Sequence, residues 1–170
     1  MEEMKKQFEK SYDEYAPNIL RHTYFRVRDK ETAEDLVQEM FFKAWRSIVN
    51  DSNSDINNIK AFLYKILNNI IIDYYRTRKE TYSLEQVVED KEDIIIEENK
   101  EEQRIDDEIE LTQLKKYLSE IKEEYREILI MKYLDDLSIG EISKITNKSQ
   151  VNIRVTIHRA LQTLKKKYEK

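Results

Sequence analysis

The sequence contains no cysteine, one glycine and one proline among 170 residues. The absence of cysteine excludes a disulfide framework, a thiolate metal site and a cysteine nucleophile. With Gly140 and Pro17 alone for sharp turns, the chain lacks the turn residues that a β-sandwich or barrel requires. No apolar run approaches the ~20 residues of a membrane span, and the first six residues, MEEMKK, lack the apolar core of a signal peptide. We therefore expect an all-α protein without membrane insertion, located in the cytoplasm.

Charge is distributed unevenly along the chain, although the formal net charge is only −5. Residues 1–79 carry a net charge of +1, residues 80–110 a net charge of −11, and residues 111–170 a net charge of +5. The central stretch has no sustained helical period and is typical of a solvated acidic linker. The sequence thus predicts two small helical domains joined by this linker, and the overall acidity does not exclude a nucleic-acid partner.

Apolar residues recur at helical spacing on both sides of the linker. Pro17 is expected to kink or restart the first helix, and residues 49–58, rich in Asn, Asp and Ser, are typical of a loop. The spacing predicts helices over 4–28, 32–48, 59–79, 109–119, 123–134, 139–146 and 150–167.

The C-terminal part has the outline of a helix-turn-helix motif. Ser138 and Glu141 have the spacing of a capping box at the start of a short helix. Asn147 is suited to the left-handed turn that follows, and Ser149 is placed to cap a longer second helix.

At ~100° per residue, the second helix turns one apolar face inward. The residues expected on that inward face are Ile153, Ile157, Ala160, Leu161 and Leu164. Two valines on the opposite face suit a major groove, where apolar groups contact thymine methyls, and polar and basic neighbours suit base edges and phosphates. The candidate DNA contacts are Ser149, Gln150, Val151, Asn152, Arg154, Val155, His158 and Arg159. The pattern alone also fits an ordinary amphipathic helix in an all-α bundle.

Three runs of sequence resemble, in order, the bacterial RNA polymerase sigma factors of the extracytoplasmic-function (ECF, group IV) type. Residues 33–46 (AEDLVQEMFFKAWR) resemble the core of sigma region 2. Residues 61–69 (AFLYKILNN), continued by 73–76 (DYYR), resemble the helix that reads the promoter −10 element. The runs YREIL, YLDDLS and HRA between residues 125 and 160 match region 4.

The resemblance implies a sigma factor, which binds core RNA polymerase and directs transcription initiation at promoters, with no catalytic centre, cofactor or metal. It implies region 2 at 1–79, a linker at 80–110 and region 4 at 111–170, whose helix-turn-helix reads the −35 element. Promoter DNA and the polymerase β′ clamp and β flap are the implied partners, and an anti-sigma factor is a further candidate. The implied clamp contacts are Asp35, Gln38 and Glu39. The implied −10 contacts are Asn53, Phe62, Lys65, Asn68, Asn69 and Arg76, with Tyr64 also expected on the surface of that helix.

The chain departs from the family pattern at several of these positions. Phe62 replaces the usual tryptophan of the −10 helix, Asn68 an arginine, and Asn147 the turn glycine. The reading helix also loses polar and basic groups, so no −35 sequence can be carried over from relatives. A stand-alone dimeric helix-turn-helix regulator is the main alternative, but no heptad seam for a dimer is visible. A hydrolase or nuclease finds little support, because the sequence has two histidines and no Gly-rich phosphate loop.

Overall fold

The computed structural model describes residues 2–51, 56–82 and 113–169, and every regular element in these ranges is helical. The all-α prediction is thereby confirmed, whereas the acidic stretch from 83 to 112 and the loop residues 52–55 lie outside the described residues. The helices are α1 (Glu2–Val27), α2 (Lys30–Asn50), α3 (Ile59–Tyr82), α4 (113–119), α5 (Glu123–Leu129), α6 (Ile139–Thr146) and α7 (Gln150–Tyr168), with a π-helical segment (Ile130–Leu134) after α5.

The sequence predicts a kink or a restart of the first helix at Pro17, and the restart does not occur, because α1 runs through Pro17 as one helix. Pro17 lies on the exposed side of the helix, where the carbonyl that loses its amide donor remains accessible to water. The helix ends at Val27, and the next residue, Arg28, adopts a left-handed conformation with φ of 59°. Asp29 then caps α2, because its Oδ2 accepts a hydrogen bond from the Thr32 amide at 2.8 Å.

The turn signals of the C-terminal half are confirmed in detail. Ser138 Oγ accepts from the Glu141 amide, and Glu141 Oε2 accepts from the Ser138 amide at 2.8 Å, which completes the predicted capping box. Asn147 is left-handed, with φ of 56° and ψ of 28°, and Ser149 caps α7 through the Asn152 amide. These caps define where α6 ends and where α7 begins.

The predicted helix over 123–134 is present, but its last turn is π-helical. The Asp135 amide donates to the Ile130 carbonyl and the Leu137 amide donates to the Met131 carbonyl, each at 3.0 Å. A π turn widens the helix by one residue and commonly occurs at functional positions. Here it directs the end of the segment, with Asp135, toward the N-terminal half.

A single apolar cluster runs through both halves of the molecule. Its buried members from α1, α2 and α3 include Ile19, Met40 and Leu63, and it continues into Ile128 and Ile142 of the C-terminal half. A second, smaller cluster joins α4, α5 and α7 around Leu118, Leu129 and Ala160. The two halves therefore share a core, which periodicity along the chain does not predict.

Candidate nucleic-acid and polymerase interfaces

The helix α7 presents the predicted reading face to solvent. Val151 is 67% exposed and Val155 is 41% exposed, while Ile153 and Ala160 on the opposite face are fully buried. The described part of the chain has no acidic residue between Glu141 and Glu169, so α7 carries only positive formal charge along its length. All eight candidate DNA contacts are exposed: Ser149, Gln150, Val151, Asn152, Arg154, Val155, His158 and Arg159.

One residue of the predicted inward face of α7 differs from expectation. Leu161 is 42% exposed because it lies at the edge of an apolar groove of about 250 Å³ between α4, α5, the π segment and α7. The surface that the described residues give this groove is apolar. Its walls are Leu114, Leu118, Leu129, Ile130, Tyr133, Leu134, Leu161 and Leu164.

The residues predicted to read the −10 element divide into an exposed stripe and a covered set. Lys65, Asn69 and Arg76 are exposed along one side of α3, at helical spacing. Phe62 is half-buried against the shared core. Asn53 lies outside the described residues.

Asn68 is 2% exposed, and its Oδ1 accepts a hydrogen bond from Arg26 Nη1 at 2.8 Å. In this arrangement its amide is not presented to a nucleic acid. Tyr64, expected on the surface of α3, is 1% exposed. Both residues are covered because α1 packs against α3 on the side where they lie.

The polar edge of α2 is open, as expected for a docking surface. Asp35, Gln38 and Glu39 are all exposed, and Glu39 pairs with Lys43 at 2.7 Å. Phe42 is 61% exposed on the same side of the helix.

Phe42 was not singled out from the sequence. The signal was present, since it follows Glu39 by three residues and Asp35 by seven, which places all three on one helical stripe. The guanidinium of Arg46 lies over the Phe42 ring, 5.7 Å from its centroid. Large aromatic groups and arginine are enriched at the centres of protein interfaces, which makes the exposed Phe42 with Arg46 a candidate contact.

A buried polar cluster around Asp135 joins the two halves. Asp135 Oδ1 accepts from the Tyr64 hydroxyl at 2.9 Å, and Oδ2 lies 2.5 Å from His22 Nδ1. Burial, followed by the charge of Asp135 and its hydrogen bond, raises the pKa of Tyr64 far above its ordinary value, so the hydroxyl remains a donor. No motif links these three residues, which come from α1, α3 and the end of the π segment.

Arg26 and Arg126 form a second polar cluster between the halves. Arg26, buried to 3% exposure, lies 3.8 Å from both Glu123 and Glu127, and its carbonyl accepts from the Tyr75 hydroxyl. Arg126 donates to the Leu118 carbonyl at 2.7 Å. Burial, with a further contribution from Arg28, lowers the pKa of Arg126 from its ordinary value, and the nearby carboxylates and carbonyls compensate the charge.

Neither a metal site nor a membrane span is found among the described residues. No group of three His, Asp or Glu side chains in these ranges converges as metal ligands would. None of the helices that the structure describes combines the length and apolar character needed to cross a bilayer.

Comparisons with known proteins match both halves of the chain. Residues 11–81 match the profile of Sigma-70 region 2, and residues 111–164 match that of Sigma-70, region 4. The ECF RNA polymerase sigma factor SigM of Bacillus subtilis is 30% identical over 162 residues, which cover 94% of this chain and 93% of SigM. The ECF RNA polymerase sigma factor SigW of the same organism is also 30% identical over 162 residues, covering 91% of this chain and 84% of SigW.

Solved structures share the fold. The sigma factor RpoE of Bartonella quintana, in a complex with the anti-sigma factor NepR, aligns with a TM-score of 0.74 at 24% identity, covering 95% of this chain and 96% of RpoE. CnrH, in a complex with the cytosolic domain of CnrY, aligns with a TM-score of 0.69 at 17% identity, covering 97% and 89% of the two chains.

Proposed function

This chain belongs to the sigma-70 family as an ECF-type RNA polymerase sigma factor, and from that premise we propose which of its surfaces perform each part of promoter recognition. It is a promoter-recognising subunit that directs transcription initiation, with core polymerase and promoter DNA as its partners. The observation that carries the assignment is the presence of both family regions, in order, with the candidate DNA contacts of α7 exposed.

The −35 element is assigned to α7. Arg154 and Arg159 offer donors for guanine edges or phosphates, and Asn152 can pair with an adenine edge. Val151 and Val155 provide the apolar contacts that thymine methyl groups favour. The remaining members of the set, Ser149, Gln150 and His158, are exposed beside them.

The −10 element is assigned to the exposed stripe of α3, namely Lys65, Asn69 and Arg76, with Phe62 at its edge as a stacking surface. Asn53, in the loop before α3, is proposed to contact an unstacked base. Asn68 would join this surface only if its hydrogen bond with Arg26 opened.

Core polymerase is assigned two contacts. Asp35, Gln38 and Glu39 supply a polar edge for the β′ clamp. The apolar groove bordered by Leu161 fits the β flap, because the apolar surface of its described residues is suited to the apolar face of a partner helix.

The remaining proposals concern the domain bounds, the location of the protein and a further partner. The proposed domains are region 2 at 1–79, an acidic linker at 80–110 and region 4 at 111–170. Because core polymerase and promoter DNA are its partners, the protein is proposed to act in the cytoplasm by binding them, without catalysing a reaction itself. An anti-sigma factor is proposed as a further partner, because the related RpoE and CnrH structures are complexes with NepR and CnrY.

Reconstituted transcription tests the function. Core polymerase with this protein should initiate at specific promoters, and core alone should not. Asp35→Ala should weaken core association, whereas Asp13→Ala, which removes an exposed acidic group from α1, should leave it unchanged. Tight, specific binding of the free chain to duplex promoter DNA without core association would instead establish the stand-alone regulator.

A further inference from the structure

The hydroxyl of Thr156, on the reading helix α7, donates to a side chain and not to the backbone. Serine and threonine inside helices commonly donate to the carbonyl four residues earlier. Hydroxyls on other turns of these helices do so over 2.7 to 2.9 Å, namely those of Ser11, Thr23, Thr146 and Thr163. Thr156 instead donates to the side-chain oxygen of Asn152, Oδ1, at 3.2 Å. Its hydroxyl therefore acts on one of the candidate DNA contacts.

Burial holds Thr156 in place. The residue is 6% exposed, and branching at Cβ leaves a threonine in a helix with few χ1 rotamers. Asn152 lies one turn earlier and is exposed. The oxygen and the amino group of a carboxamide point in different directions, so a bond that turns Oδ1 toward Thr156 turns Nδ2 away from it. The amino group is thereby the part of the Asn152 amide that is available to DNA.

The backbone of Asn152 is fixed as well. Its amide donates to Ser149 Oγ, the cap of α7, at 3.1 Å. The turn before this cap is held by Ser143, whose hydroxyl donates to the Lys148 carbonyl at 2.6 Å. In helix-turn-helix proteins the first residues of the second helix contact base edges, and Asn152 is near the start of α7. Both the position and the direction of its amide are therefore set before DNA is bound.

Base edges differ in the groups that they require from an amide. Bidentate pairing with adenine, which asparagine offers by residue type, needs Oδ1 and Nδ2 side by side, as an acceptor for N6 and a donor to N7. An amide that presents only its donor suits an acceptor, such as O4 of thymine or O6 and N7 of guanine. Val155 is 41% exposed and follows Asn152 by three residues, so the two are neighbours on the helix surface. Its methyl groups suit the C5-methyl group that thymine has and guanine lacks.

We propose that Thr156 is a positioning residue for the −35 element: it holds Asn152 as a donor, so that Asn152 and Val155 together read a thymine and reject an adenine. This role rests on the proposed function, because it takes α7 as the helix that reads the −35 element. Thr156 is buried and acts on DNA only through Asn152.

The order of the Asn152 amide can be measured in the free chain, without polymerase or DNA. NMR relaxation of the Nδ2 nitrogen gives its order parameter. Thr156→Val keeps the branched shape and removes the hydroxyl, whereas Thr156→Ser keeps the hydroxyl. Thr163→Val is the matched control, because Thr163 lies on the same helix and donates to the Arg159 carbonyl at 2.9 Å. The amide should be ordered in the wild type, Thr156→Ser and Thr163→Val, and mobile in Thr156→Val.

Binding of the holoenzyme to promoters that carry each base in turn across the −35 element measures the base preference. Asn152→Ala identifies the position that Asn152 reads, as the one where discrimination is lost. There the wild type, Thr156→Ser and Thr163→Val should prefer thymine to adenine by about tenfold, as expected for one hydrogen bond. Thr156→Val should reduce this ratio several-fold, because the released amide can turn and pair with adenine. Uracil in place of that thymine should weaken binding of the wild type but not of Val155→Ala, since uracil lacks the methyl group.

The two measurements separate the role of Thr156 from the function of α7. A mobile amide in the wild type, or an amide as ordered in Thr156→Val as in the wild type, would overturn that role whatever α7 binds. A wild-type preference for adenine at the Asn152 position, or an unchanged preference in Thr156→Val, would overturn it while leaving α7 as the reading helix. The wild-type results decide even if Thr156→Val does not fold. An ordered amide together with an Asn152→Ala variant that discriminates normally at every −35 position would overturn both the thymine contact and the assignment of Asn152 to the promoter.

Discussion

Arg26 of α1 donates from Nη1 to the side-chain oxygen of Asn68 in α3, over 2.8 Å, and both residues are almost fully buried. Arg26 Nε has no partner among the described residues, so the bond with Asn68 is one of few that satisfy this guanidinium. By resemblance Asn68 belongs to the promoter-reading surface, yet here it holds two helices of the N-terminal half together. The adjacent Asn69 is exposed and is free to contact a base.

Asn68→Ala should therefore reduce stability, and Asn69→Ala should not. Removing the acceptor leaves part of a buried guanidinium unpaired, at a cost of about 1–3 kcal/mol in the free energy of unfolding. Substitution at the exposed Asn69 should change this free energy by less than ~0.5 kcal/mol. Urea denaturation followed by circular dichroism measures both values.

Comparison of Asn68→Ala with Asn69→Ala also distinguishes an effect on stability from an effect on promoter recognition. Asn69→Ala should weaken binding of the polymerase holoenzyme to DNA that carries the −10 element, through loss of an amide contact to a base edge. Equal stability losses in the two variants would contradict the structural role of Asn68.

Capping of α2 by Asp29 gives a pH-dependent prediction. Hydrogen bonds from the Thr32 side chain and amide lower the pKa of Asp29 below its ordinary value. A carboxylate with a lowered folded-state pKa stabilises the fold above the unfolded-state pKa of ~3.9, and this contribution is lost as the pH falls through the folded-state value. Asp29→Ala should therefore lose about 1 kcal/mol of stability at neutral pH, and its difference from wild type should shrink as the pH falls below ~4.

Asp29→Asn is the matched control for this effect, because asparagine caps helices as well as aspartate does and does not titrate. Its free energy of unfolding at neutral pH should be close to that of wild type. Denaturation curves measured from neutral to acidic pH distinguish the three proteins. A pH-independent difference between wild type and Asp29→Ala would show that the charge of Asp29 does not contribute.

The helices of this protein follow from local patterns, and so do its caps. The apolar spacing on α2 and α7 predicts their buried faces, and Ser138, Asn147 and Ser149 mark the turn at the residues where it occurs. Val151, Val155 and Arg159, which the rotation along α7 predicts on the face away from the core, are exposed. A helix that packs one face against the core presents the opposite face to solvent.

The contact between the halves could not be predicted in this way. His22 and Asp135 are 113 positions apart, and neither residue type nor spacing indicates that they meet. Tyr64 and Asn68 are polar side chains that the sequence pattern puts on the surface, yet both are buried. Their burial depends on partners that are distant in the sequence. The helical spacing of apolar residues predicts only which face of a helix is apolar, and it does not predict which polar residues become buried.

Phe42→Ala should weaken the association with core polymerase without changing the fold. Phe42 is 61% exposed, so its removal creates no cavity, whereas aromatic groups at the centre of an interface commonly contribute more than ~1–2 kcal/mol to binding. The expected result is at least a tenfold rise in the dissociation constant for core, measured by fluorescence anisotropy of the labelled chain. Ile72→Ala, which truncates an apolar residue that is 42% exposed on α3, should leave this constant unchanged. Equal affinities for all three proteins would remove Phe42 from the polymerase interface.

Arg159→Ala should weaken recognition of the −35 element by about 1–3 kcal/mol, because arginine is the side chain best suited to a bidentate contact with guanine. Arg159 is exposed on α7, so the stability of the fold should not change. The control is Lys132→Ala, which removes one positive charge from the π segment of the same half.

Binding of holoenzyme to promoters with single substitutions across the −35 element is the measurement. A base contact predicts that Arg159→Ala loses discrimination at one position, whereas a phosphate contact predicts a uniform loss at all positions and a smaller salt dependence. An unchanged preference and an unchanged affinity would exclude Arg159 from the reading face.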